Sequence, residues 1–191
     1  MKPLDRLKIA LWRPSCYAQL RAPLRGSGGR GAMKSVEEFL ARHPFSRGLD
    51  PQHAKVLVDC ASIRELSAGD YLWRQGETAS QFFLIESGEV AIGILIPHQG
   101  LLQIDSVGSD EVVGWSWFAA PYRSYFDARA LSPVRALALQ ADRLRELCET
   151  HRELRCELLS RIAPIIVRRL EASQRKLIEV HSLELAGPRN L

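Results

Sequence analysis

The feature that most constrains this chain is a series of short β-rich runs between Ser62 and Leu139, separated by glycines. The runs YLWRQ, FFLIE, VAIGILI and LLQIDSV are punctuated at Gly69, Gly76, Gly88, Gly100 and Gly108. β-branched and aromatic side chains favour the pleated strand, and glycine supplies the turn conformations between strands. Runs this short and this evenly spaced predict an antiparallel barrel or sandwich over about residues 62–140.

Helical periodicity flanks this segment on both sides. The stretch SVEEFLARHPF starts with a candidate N-cap, Ser35, with Glu38 three residues on, and carries Val36, Phe39 and Leu40 at helical spacing. DPQHAKVLVDCAS repeats the device, with Asp50 as the cap and Pro51 at the first helical position. After Gln140 comes ADRLRELCETH, then a longer helical pattern from Arg152 to about Ser182. There Leu159, Ala163, Ile166, Leu170, Ser173, Leu177 and Val180 alternate by four and three. That is a heptad seam, suited to pairing with a second copy of itself. Pro164 lies inside it and is expected to kink or break the helix, because it removes a backbone donor and crowds the carbonyl of Ser160.

Charge and cysteine usage narrow the function classes. The net charge is +4, but residues 1–32 hold seven Lys or Arg against the single Asp5, which leaves about −2 for the rest. Basicity confined to a Pro- and Gly-broken segment argues against a phosphate-tracking face on the folded part. Residues 1–34 are therefore expected to be a basic flexible tail, with Met33 an alternative first residue that would leave most of the tail outside the native protein. Cys16, Cys60, Cys148 and Cys156 form no CxxC pair, as expected of reduced thiols in a cytoplasmic protein. No apolar run reaches the roughly 18 residues of a membrane span. The five histidines include no HxH pair, and only His98 lies in the β segment, so neither a metal-holding barrel nor catalysis is expected.

The segment AGDYLWRQGETASQFFLIESGEVAI, Ala68 to Ile92, resembles the first half of the cyclic nucleotide-binding domain family. The resemblance rests on the turns Gly69-Asp70 and Gly76-Glu77 and on an aromatic-aliphatic strand closed by Ser87-Gly88, and it extends over about residues 35–182. It implies an α+β fold: an antiparallel, jelly-roll-like β-roll flanked by N-terminal helices and a long C-terminal dimerisation helix, with residues 141–182 helical and 183–191 a tail.

By that resemblance VVGWSWFAAPYRSYFDARA, Val112 to Ala130, occupies the place of the family's phosphate-binding cassette. A cyclic phosphate needs a countercharge and backbone N–H donors, and a guanidinium can make two directed bonds to its oxygens. The resemblance makes Arg123 that countercharge, with Ser124 supplying a hydroxyl and a backbone N–H. Gly114 is the close-approach glycine, with Trp115 and Ser116 beside it. Where the family usually carries a glutamate for the ribose 2'-hydroxyl, this chain has Trp115, whose indole only donates. Asp110 and Glu111, just upstream, are the carboxylates that could stand in. Ser173 falls at a dimer-helix position from which a hydroxyl reaches the base, or else it tunes helix pairing.

Trp115, Trp117, Phe118 and Tyr122 are expected to serve mainly in packing. Phe126, Ala128 and Ala130 should alternate with Asp127 and Arg129 along a half-buried strand, with Asp127 and Arg129 paired or in solvent. Eleven residues follow Val180, too few for a recognition helix, so sequence-specific DNA binding by this chain alone is not expected. The expectation is a non-enzymatic, cytoplasmic sensor with no resident cofactor, binding cAMP, another cyclic nucleotide or another small anion. It would signal to an unknown partner protein as a homodimer through the Leu159 to Val180 helix. The alternative is a non-binding module that acts only in protein–protein interaction.

Overall fold

The computed structural model describes residues 30–96, 98 and 100–186. Helix α1 (Arg30–Arg42) and helix α2 (Pro51–Val58) precede eight strands: β1 (Ala61–Leu66), β2 (Tyr71–Trp73), β3 (Gln81–Ser87), β4 (Val90–Ile96), β5 (Gly100–Val107), β6 (Val112–Val113), β7 (Asp127–Ala130) and β8 (Val134–Gln140). Helices α3 (Ala141–Thr150) and α4 (Arg152–Ala186) follow. The strands form two four-stranded sheets, ordered β1-β8-β3-β6 and β2-β7-β4-β5, with every pairing antiparallel. The antiparallel β-roll with flanking helices expected from the sequence is the fold that forms.

Strand β3 explains why the roll and the helices make one body. Its FFLI run is buried on both faces. Phe82 and Leu84 join Leu137 and Leu139 of β8 under the helices, beside Phe39 and Leu40 of α1, Leu57 of α2, Leu144 of α3 and Leu154, Leu158 and Ile162 of α4. Phe83 and Ile85 point the other way, into the roll, against Val90, Val107, Ala128, Ala130 and Ala136. Alternate side chains of one strand thus feed two cores. The turn after β3 is close: Gly88 has φ +94°, and a Cβ there would lie 2.3 Å from the Pro133 carbonyl.

Several local expectations met a different outcome. Asp50 caps α2 as read, accepting from Gln52 N–H at 2.7 Å. Ser35, however, lies inside α1, which begins at Arg30 within the segment read as a tail; the remainder of that tail, residues 1–29, lies outside the described residues, as do 187–191 of the C-terminal one. Residues 183–186 of that second tail continue α4. Pro164 does not end the helix: α4 runs from Arg152 to Ala186 through it. Both Ser160 and Pro164 are exposed, so water can serve the carbonyl that proline deprives of its donor.

Asp127 and Arg129 do not pair with each other, nor do they sit in solvent. Asp127 is buried, and its two carboxylate oxygens accept from Gln75 N–H at 2.9 Å and Leu95 N–H at 3.0 Å. Arg129 donates from Nε to the Gly69 carbonyl at 3.0 Å. Both side chains satisfy backbone groups where strands leave their ladders, a use that alternation alone does not reveal.

His43, buried after α1, ties that helix to the roll. Its Nε2 lies 3.2 Å from the Ile85 carbonyl, and its Nδ1 lies 3.2 Å from Phe45 N–H. The Phe45 group can only donate, so the ring is neutral with its proton on Nε2. Burial lowers its pKa from 6.5, outweighing the opposing influence of the Ile85 carbonyl and Asp110. The unfolded chain therefore takes up this proton more readily than the folded one. The stability contributed by neutral His43 is full above about pH 6.5 and declines as pH falls from there through the lower folded value. Urea unfolding at pH 7.5 and 5.5 should show that loss, and His43→Gln should remove this part of the pH dependence.

Candidate ligand-binding site

The loop from Gly114 to Phe126 is fixed at its start by conformation and at its end by hydrogen bonds. β6 pairs with Phe83 and Leu84 of β3 and then ends at Gly114, which is left-handed at φ 92°, ψ 28°. A Cβ on Gly114 would stand 2.8 Å from the Gln81 carbonyl and 3.3 Å from the Trp73 ring. Only glycine suits both the torsion and the space. Gly114→Ala should lower stability by about 1–2 kcal/mol from the torsion alone, and thermal unfolding should show a midpoint several degrees below wild type.

Trp115–Trp117 then makes a single 3-10 turn, closed by Phe118 N–H on the Trp115 carbonyl at 3.0 Å. Trp117 is 1% exposed, with ring centres 5.3 Å from Phe118 and 6.1 Å from Phe82. Its indole anchors the turn in the helical core, and Arg145 holds its carbonyl at 3.1 Å. Trp115 and Phe118 pack against the same core, and Arg145 also lies 4.6 Å over the Tyr122 ring. Packing is thus the role of most of these aromatics, Trp117 above all.

The far end of the loop is zipped onto the turn between β2 and β3. Ala79 N–H donates to the Tyr122 carbonyl at 2.8 Å, Ser124 N–H to the Glu77 carbonyl at 2.9 Å, and Gly76 N–H to the Ser124 carbonyl at 2.7 Å. Arg123, exposed, sits between these bonds and sends Nη1 to the Gly76 carbonyl at 3.0 Å. Among the described residues it forms no ion pair. The arrangement holds an un-neutralised guanidinium on a tied-down backbone. Ser124 is buried beside it, and its backbone N–H is already committed to Glu77, so only the hydroxyl of the expected pair of donors is left for a ligand.

The other named residues divide by location. Gly114, Trp115 and Ser116 are contiguous at the start of the loop, with Trp115 and Ser116 partly buried. Ser173 is exposed on α4, one turn beyond Arg169 on the same side of that helix. Glu111 does not turn toward Gly114: its carboxylate accepts from Gly108 N–H at 2.9 Å and from Arg168 at 3.2 Å. Two residues that sequence reasoning did not single out join this region. Arg169 of α4 donates to the Val112 carbonyl at 2.8 Å, lies 4.9 Å over the Trp115 ring and faces Asp105 of β5 at 3.8 Å. Burial draws its pKa below the ordinary arginine value, against the pull of Asp105 and Glu111. The available signal for Asp105 was its step of two from Val107, which put a carboxylate on an inward strand position; for Arg169 there was none beyond its place beside the seam residue Leu170.

Among the described residues no cluster of three or more His, Cys, Asp or Glu is placed to hold a metal, and no helix is long and apolar enough to cross a membrane. Residues 63–151 match the family model described as the cyclic nucleotide-binding domain. A CRP-like cAMP-activated global transcriptional regulator of Mycobacterium tuberculosis is 25% identical over 154 residues, covering 80% of this chain and 66% of the regulator. Mouse cGMP-dependent protein kinase 2 is 32% identical over 59 residues, 31% of this chain and 8% of the kinase. The chain thus spans about two thirds of the length of the first and a small part of the second. The crystal structure of a cyclic nucleotide-binding domain from Methylobacillus flagellatus superposes with a TM-score of 0.62 at 18% identity, covering 77% of this chain and 83% of that one. With the two four-stranded antiparallel sheets, the loop after β6 and the long helix behind them, the likeness of this chain to the cyclic nucleotide-binding domain family rests on residues 63–151.

Proposed function

We propose that this chain is a non-catalytic sensor that binds a cyclic nucleotide, with the cyclic phosphate on Arg123 and the Ser124 hydroxyl and the sugar beside Gly114, Trp115 and Ser116. The observation that carries the reading is the Arg123 guanidinium: exposed, without an acidic partner among the described residues, and held on a backbone tied by three hydrogen bonds. A cation set in advance against an anionic ligand pays little ordering entropy on binding. The family match supports the ligand class. The relatives' names divide on the base, since one is cAMP-activated and the other cGMP-dependent.

The signal would leave through α4 as a homodimer. The face of α4 that reaches the core ends near Ile162 and Ile165, while Leu159, Ile166 and Leu170 on the heptad seam are exposed. An apolar stripe of this spacing fits a second copy of itself, with Ser173 at the seam near the nucleotide end. Ligand contact beside Arg169 would bias how α4 lies on the roll, and so the dimer surface offered to a partner protein.

One observation favours a second reading, a dimeric interaction module with a closed pocket. The Trp115 ring and the Arg169 guanidinium already fill each other's space next to Gly114. Calorimetric titration of the purified protein with cyclic AMP and cyclic GMP decides between them. Saturable heat at one nucleotide per chain is the expected result; no heat with either nucleotide assigns the chain to the second reading.

A further inference from the structure

A cleft of about 370 Å³ opens between the first turn of α2 and the joint at which α3 gives way to α4. It shares no residue with the loop after β6. His53 lines it from α2, and Thr150, His151, Arg152 and Glu153 line it from the joint. His151 is the joint itself, with its backbone outside helical torsions at φ −119°, ψ 88°.

The two histidines share one arrangement. His53 Nδ1 lies 2.7 Å from Glu157 Oε2, and Arg161 Nη2 donates to the other oxygen of that carboxylate at 3.0 Å. His151 Nδ1 lies 3.2 Å from the Leu147 carbonyl and 2.9 Å from the Thr150 hydroxyl. A carboxylate and a carbonyl only accept, so Nδ1 carries the proton in both rings and the Nε2 lone pair of each neutral ring is left over. Among the described residues neither Nε2 has a hydrogen-bond partner. Histidines that ligate metals are held this way: one ring nitrogen donates to a carboxylate or a backbone carbonyl, which fixes the ring and makes the other nitrogen a better base. The support behind His53 continues through Arg161, whose Nη1 donates to the Phe45 and Arg47 carbonyls at 2.8 and 2.9 Å. Arg152 and Glu153 offset each other in charge, and neither forms an ion pair among the described residues.

We propose that His53 and His151 bind a divalent transition-metal cation, Zn²⁺ or Ni²⁺, through their Nε2 atoms, with Glu157 as the positioning residue for His53. The described residues gather no set of three protein ligands, so water, or a carboxylate oxygen of Glu153 from the same cleft, completes the coordination. Imidazole suits these ions, whereas Mg²⁺ takes oxygen. His151 is exposed, and rotation about its side-chain bonds brings its ring toward His53. The ion then ties α2 to the joint from which α4 departs.

Calorimetric titration of the untagged whole chain with Ni²⁺, Zn²⁺ and Mg²⁺ tests this. One Ni²⁺ or Zn²⁺ per chain should bind saturably, with no heat from Mg²⁺. Ni²⁺ should also raise the melting midpoint, because a ligand of the folded chain stabilises it. Glu157→Gln keeps both histidines and should weaken binding roughly 10- to 100-fold, as loss of a supporting partner does. His53→Ala and His151→Ala should each weaken it at least as much. His151 is exposed, so its variant should keep the metal-free melting profile of the wild type. No saturable heat from Ni²⁺ or Zn²⁺ with the wild type, or binding unchanged in either histidine variant, would overturn the site. Unchanged binding in Glu157→Gln would overturn the positioning role of that carboxylate.

Discussion

Arg123→Ala is expected to weaken cyclic nucleotide binding by at least tenfold, and by a hundredfold or more if both guanidinium branches reach the phosphate. A hydrogen bond to a charged group contributes about 1.5–3 kcal/mol, and each 1.4 kcal/mol is a factor of ten in affinity. The variant should fold normally, because Arg123 is exposed and the neighbouring backbone bonds from Ala79, Ser124 and Gly76 do not involve its side chain. Arg123→Lys should recover only part of the loss, since an ammonium keeps the charge but not the planar two-donor geometry. Titration of the three proteins side by side is the measurement. Wild-type affinity retained in Arg123→Ala, with an unchanged melting profile, would remove Arg123 from the site.

Leu170→Asp is expected to convert a dimer into a monomer. Leu170 is 57% exposed in the single chain and sits on the seam with Leu159 and Ile166. Burying a leucine contributes about 1.5–3 kcal/mol, so two copies across a symmetric seam contribute about 3–6 kcal/mol, and the substitution adds two carboxylates facing each other in an apolar contact. The dissociation constant should rise by two orders of magnitude or more. The roll itself should be untouched, because the α4 residues that hold it, Leu154, Leu158 and Ile162, lie two or more turns earlier. Sedimentation of wild type and variant over a range of concentrations reads the result. A variant that sediments as wild type would show that another surface carries the assembly.

Much of the architecture was legible in the amino-acid order because its signals are local. Strand runs and their glycines depend on torsion preferences of a few neighbouring residues, so the roll could be bounded at about residues 62–140, and its strands run from Ala61 to Gln140. Asp50 and Pro51 start α2 for the same reason. Ser35 misled because a capping serine and a serine within a helix have the same neighbours in sequence, and only the turns before it show which one it is. Asp127 misled differently. Period-two alternation says which face a residue takes but not whether that face holds two unpaired backbone N–H groups, which is what draws its carboxylate inside.

The candidate site divides along the same line. Gly114, Arg123 and Ser124 could be named from sequence because one short loop carries all three and the resemblance to the family's phosphate-binding cassette marks each position. Asp105 and Arg169 stand 64 positions apart, and neither residue implies the other. They meet because α4 folds back over β5 and β6, with Arg169 reaching the Val112 carbonyl and the Trp115 ring. Sequence by itself determined the elements, the turns and the residue types available to meet an anion, all properties of nearest neighbours along the chain. Tertiary structure alone decided which charges are neutralised and which stay open, because that depends on what packs against them from distant segments. It left Arg123 without an acidic partner among the described residues, and it set Asp105 half-open against a buried guanidinium.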